Sequence, residues 1–74
     1  MELFLENFRG IFDEVDTSII TLDTKFREIE EWDSLTALSF IAMVDDKYSV
    51  KFTGEEIRNS LTVLDLYEVL AKKL

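Results

Sequence analysis

Apolar side chains return every three or four residues in three separate stretches of this chain, a period that commits it to helices packed through one face each. Phe4, Phe8, Ile11, Phe12 and Val15 predict a first helix from about Glu2 to Glu14, which Gly10 weakens without breaking the pattern. Phe40, Ile41, Val44 and Tyr48 form the inner stripe of a second helix from Ser34 to Tyr48, with Asp33 or Ser34 available to cap its first turn. Leu35, Leu38 and Ala42 make an offset second stripe on the same helix, free either to close the core or to meet a partner. Thr53-Gly54-Glu55-Glu56 has the pattern of a capping box and opens a short helix ending near Asn59. Thr62-Val63-Leu64-Asp65 repeats that arrangement, and Val63, Leu66, Tyr67 and Leu70 carry the last helix to Lys73, where Lys72 and Lys73 suit the negative end of the dipole.

Between these helices, from Asp16 to Trp32, the periodicity is lost. Asp16, Thr17, Ser18, Thr21, Asp23 and Thr24 compete there for backbone hydrogen bonds, as turn-forming residues do. A connection this long must be pinned to the core or carry function, and Ile20, Leu22, Phe26 and Ile29 are the candidate pins. The expected fold is all-α, with three main helices, a short third helix and a long first loop, in a single domain over residues 1–74 with no internal repeat or linker.

The chain must fold on packing alone, since its 74 residues include no cysteine to form a disulfide or thiolate site. It also has no histidine, the usual general base and commonest metal ligand, so no catalysis by this chain is expected. Asp13, Asp16 and Asp23 do not make a calcium loop, for they lack the alternating ligands, central glycine and final glutamate that such a loop needs. A formal charge of −8 repels nucleic acid and anionic membranes and points instead to basic protein partners. Glu2, Glu6 and Arg9 interrupt the first residues, and no apolar run approaches a membrane span, so neither secretion nor membrane insertion is expected and the cytoplasm is the default location, although a processed organellar precursor would look the same.

Asp33-Ser34-Leu35 stands where the loop meets the second helix. A serine at a helix start beside a loop is accessible, and a phosphate attached to it would meet the positive end of the helix dipole. On the tripeptide alone the commoner reading is that Ser34 or Asp33 is an ordinary cap.

Over nearly its whole length the sequence resembles acyl carrier proteins. The resemblance rests on the run Asp23-Thr24-Lys25-Phe26-Arg27-Glu28-Ile29-Glu30-Glu31-Trp32-Asp33-Ser34-Leu35, on Tyr48 at the end of helix two and on the Thr62-Val63 start of the last helix. It implies a four-helix bundle in which Ser34 receives 4′-phosphopantetheine from coenzyme A, with Asp33 presenting it to a phosphopantetheinyl transferase and assisting metal binding in that complex. It further implies that Leu35, Leu38 and Ala42 contact partner enzymes, and that Phe26, Phe40, Val44 and Tyr48 line the core or an acyl-holding cavity. Acyl intermediates would travel as thioesters on the arm, serving fatty-acid, polyketide or other specialised biosynthesis.

Two positions depart from the fatty-acid carriers of that family. Ser39 stands where they have glutamate, and Trp32 where they have a small residue, so the resemblance leans toward a specialised, free-standing carrier. Negative surface beyond Asp33 must then come from Asp45, Asp46, Glu55 and Glu56, facing basic docking surfaces on loading and processing enzymes. A monomer is expected. An aminoacyl or peptidyl carrier, including a D-alanyl carrier, is the alternative within the class, and an unmodified acidic interaction module the alternative outside it.

Overall fold

A computed structural model describes residues 2–13 and 16–74. Four helices follow in order, α1 (Glu2–Arg9), α2 (Ser34–Tyr48), α3 (Gly54–Arg58) and α4 (Val63–Lys73), with single 3-10 turns at Thr17–Ile19 and Phe26–Glu28 in the long loop. No strand occurs among the described residues, and Lys25 and Thr62 form one isolated antiparallel bridge. The all-α expectation is met, with three main helices and a short third.

The first helix is shorter than its periodicity suggested. Its regular bonding ends as Gly10 N–H donates to the Glu6 carbonyl, after which Ile11 and Phe12 reach back only three residues, to Phe8 and Arg9. Such tightening is how a helix satisfies its last carbonyls, and glycine, a poor helix former, stands where it begins. Phe12 is still turned inward and buried. The expected end at Glu14, and Val15 on the apolar face, lie outside the described residues.

All six phenylalanines are buried, and they meet mainly edge to face. The Phe40 ring lies 5.8 Å from Phe8 and 5.1 Å from Phe52, which ties α1 and the segment before α3 to the inner face of α2. Aromatic pairs of this geometry add to the area they bury. Val63, Leu66 and Leu70 bring α4 onto the same cluster, completing one core.

The long loop is held by both apolar and polar pins. Ile20 and Phe26 are fully buried, and Leu22 and Ile29 pack against the core. The Leu22 and Thr24 carbonyls accept from the N–H groups of Leu64 and Val63 at 2.9 and 3.0 Å, satisfying donors that the first turn of a helix otherwise leaves open. Arg9 donates to the Ile20 carbonyl at 3.1 and 2.6 Å. Arg27 clamps the carbonyls of Ser60 and Ile57 at 2.7 and 2.6 Å, fixing the loop to the far end of α3. The apolar pins are those the loop's sequence offered, while the polar ones join it to distant residues that its own sequence does not show.

Candidate functional site

Asp33, extended in backbone, caps α2: its carboxylate accepts from the Thr36 N–H at 2.8 Å. The Thr36 hydroxyl lies 3.0 Å from the same carboxylate and 3.0 Å from the Glu31 carbonyl, so one mostly buried threonine joins the end of the loop to the start of the helix. These bonds hold the Asp33 carboxyl below its usual pKa, the Thr36 N–H contributing most and its hydroxyl next. The group is therefore ionised at neutral pH. Just before it, the Trp32 indole lies 4.8 Å from Phe26 and stacks 6.3 Å from Phe8. This explains a bulky residue at that position: it nails the loop's end into the aromatic core, and the chain leaves that anchor directly into α2.

Ser34 is consequently not the cap. As the first residue of α2 it is exposed, and its hydroxyl makes no hydrogen bond among the described residues. The Thr36 N–H is taken by Asp33, so a phosphate on Ser34 would meet the positive end of the helix beside a carboxylate rather than a set of empty donors.

Ser34 stands at the edge of an open groove of about 520 Å³ between α2 and α3. Ala37, Leu38, Ile41 and Ile57 give it an apolar lining, with Arg27 and Arg58 among its charged residues. An unengaged hydroxyl at the side of such a groove fits a flexible arm joined through a phosphodiester. A larger depression of about 1020 Å³ lies along the loop and shares no lining residue with this groove.

Phe26, Phe40 and Val44 are fully buried in the core and Tyr48 is half-buried, and none of the four lines the groove. The second stripe of α2 faces outward, with Leu35 71% and Leu38 61% exposed and Ala42 exposed beside them. Of the four carboxylates expected to supply negative surface beyond Asp33, Asp46 and Glu55 are exposed and make no ion pair among the described residues. The other two are engaged internally. Asp45 meets Lys51 at 2.9 Å, while Glu56 accepts from the Thr53 N–H at 2.9 Å and pairs with Lys73 at 2.8 Å. Lys73 first, then the Thr53 N–H, hold the Glu56 carboxyl below its usual pKa.

Thr36, Arg27 and Arg58 take no role of their own from the sequence. Thr36 could have been found, since it sits three residues after Asp33, at the position with which a cap side chain bonds. Arg27 could not, because the carbonyls it holds lie 30 and 33 residues away.

Residues 4–70 match the family model described as the phosphopantetheine attachment site. The chain is 34% identical over 58 residues to the acyl carrier protein of Aster yellows witches'-broom phytoplasma, covering 78% of this chain and 76% of that protein. It is 31% identical over 55 residues to the acyl carrier protein of Beutenbergia cavernae, covering 74% and 67% respectively. The solution structure of holo acyl carrier protein from Geobacter metallireducens superposes with a TM-score of 0.76 at 28% identity, over 97% of this chain and 82% of that one. Sequence and fold thus agree along the same four helices, and the chain belongs to the acyl carrier proteins, non-catalytic carriers of acyl groups on covalently attached phosphopantetheine.

Proposed function

We propose that Ser34 is the attachment residue and that the chain is a free-standing carrier for a specialised biosynthetic pathway. The observation that carries this reading is the division of labour at the head of α2: Asp33 does the capping, which leaves the Ser34 hydroxyl exposed and without a structural task. A phosphopantetheinyl transferase would supply the base. The Ser34 oxygen attacks the pyrophosphate of coenzyme A at the phosphorus bearing pantetheine, its proton passes to the transferase, and 3′,5′-ADP leaves. The arm then stays on Ser34 through a phosphodiester, and cargo is held as a thioester on the arm's terminal thiol.

Leu35, Leu38 and Ala42 form the apolar centre of the docking surface in this reading, with Asp33, Asp46 and Glu55 supplying exposed charge around it. An apolar patch that shares its helix and the next with exposed carboxylates suits brief encounters, in which complementary charge raises the association rate more than the final affinity. The transferase and the loading and processing enzymes would accordingly present basic surfaces, and raising salt should slow delivery. Asp45 and Glu56 contribute less, being paired with lysines. We place the carrier in the cytoplasm, as a monomer with residues 1–74 in one domain.

Incubating the chain with coenzyme A, magnesium and a broad-specificity transferase tests the assignment by mass. A gain of one phosphopantetheine that vanishes in Ser34→Ala supports it. A folded chain that gains nothing, or a Ser34→Ala chain that still gains the arm, rules it out.

A further inference from the structure

In a chain of charge −8, the groove beside Ser34 is lined by two guanidinium groups against one carboxylate, Arg27 and Arg58 against Asp33. Neither arginine pairs with a carboxylate among the described residues. Arg27 bonds to the uncharged carbonyls of Ser60 and Ile57 and lies over the Phe26 ring at 4.8 Å, so its position is fixed and its charge remains. The Arg58 side chain is exposed and makes no hydrogen bond or ion pair among the described residues, even though Glu55 stands three residues before it on α3. Its Nη1 lies 3.6 Å from the point where a side chain on Gly54 would begin, and Gly54 also lines the groove. The lysines behave differently in two cases, Lys51 and Lys73 each being paired with a carboxylate. A net positive lining, with Arg58 unpaired, beside the apolar residues Ala37, Leu38, Ile41 and Ile57 is suited to a ligand with a short methylene chain ending in an anion.

We propose that the groove between α2 and α3 selects carried acyl groups that end in a carboxylate, with Arg58 as the residue that recognises that carboxylate. This rests on Ser34 as the attachment point. The methylenes of such a cargo lie on the apolar lining, its carboxylate pairs with the Arg58 guanidinium, and the fixed charge of Arg27 adds attraction without moving. A neutral acyl group of the same length keeps only the apolar contact. A cargo ending in an ammonium is repelled, which sets the proposal against an aminoacyl carrier.

The test loads the full chain by the transferase with three coenzyme A analogues whose cargo is joined by an amide in place of the thioester: glutaryl, pentanoyl and 5-aminopentanoyl. The phosphodiester is identical in all three, so any difference belongs to the cargo. The glutaryl form should occupy the groove about two- to fivefold more than the pentanoyl form, as expected for one exposed ion pair. The 5-aminopentanoyl form should occupy it least. Shifts of the Gly54 to Arg58 amides and of the Arg58 Nε–H in nitrogen-proton spectra report that occupancy. The glutaryl excess should disappear in Arg58→Gln, return in Arg58→Lys and shrink in 1 M salt. Equal shifts from the three cargoes, or an excess that survives Arg58→Gln, would overturn the proposal. A chain that takes up none of the analogues by mass fails earlier, at Ser34, and takes this inference down with the attachment reading.

Discussion

At the scale of single residues, the head of α2 separates two tasks that the tripeptide Asp33-Ser34-Leu35 leaves mixed. Because Asp33 holds the Thr36 N–H and Ser34 holds nothing, Ser34→Ala should remove modification while leaving stability within about 0.5 kcal/mol of the parent. Equilibrium urea unfolding of the two proteins checks this, and a large loss would return Ser34 to a structural role. Asp33 has the opposite character. Its pKa is lowered in the folded state, so its contribution to stability is complete above the ordinary aspartate value of about 3.9 and fades as pH falls through the lower folded value. Asp16, Glu56 and Asp65 are shifted the same way, by Ser18, by Lys73 and by the Leu61 N–H as their respective leading causes. The melting temperature should therefore drop with acidification below about pH 4. Asp33→Asn, which keeps a capping oxygen but cannot titrate there, should flatten part of that drop in a series of thermal melts; an unchanged slope would remove Asp33 from the account.

Among the helices, the caps are where sequence and structure agree most closely. Thr53 with Glu56 and Thr62 with Asp65 each form the reciprocal pair that their spacing predicts, because capping is a matter of a few neighbouring residues. Thr62→Ala should cost about 1 kcal/mol, read as a lower urea midpoint at unchanged slope. The end of α1 is less legible. Whether a turn tightens after Arg9 depends on where Arg9 and Phe12 find partners, and the Ile20 carbonyl that Arg9 holds belongs to the loop. Helix α2 shows the same dependence. Its two apolar stripes are equal as patterns, yet Phe40 and Val44 are fully buried while Leu35 and Leu38 are largely exposed. Only the placement of α1 and α4 decides which stripe they cover.

For the whole molecule, one aromatic core bears most of the stability of a chain without disulfide or metal. A domain of this size has only about 3–5 kcal/mol in reserve, and deleting a buried leucine side chain costs about 2–5 kcal/mol. Leu66→Ala, at a fully buried position of α4, should leave the protein barely folded at room temperature, with circular dichroism showing a melt displaced far downward. A loss below about 1 kcal/mol would mean that the core can collapse around the gap. The sequence by itself determined the order of the helices, the capping boxes of α3 and α4 and the candidate serine, because periodicity and capping are written within one or two turns of chain. The choice of Asp33 over Ser34 as the working cap is settled by a bond three residues long, whereas tertiary structure alone decided that Arg27 ties the loop to α3 and that two arginines share a groove with Ser34. For the arginines the reason is separation along the chain: Arg27, Ser34 and Arg58 come together only when the loop, α2 and α3 close on the same core, and no local pattern records where distant segments meet.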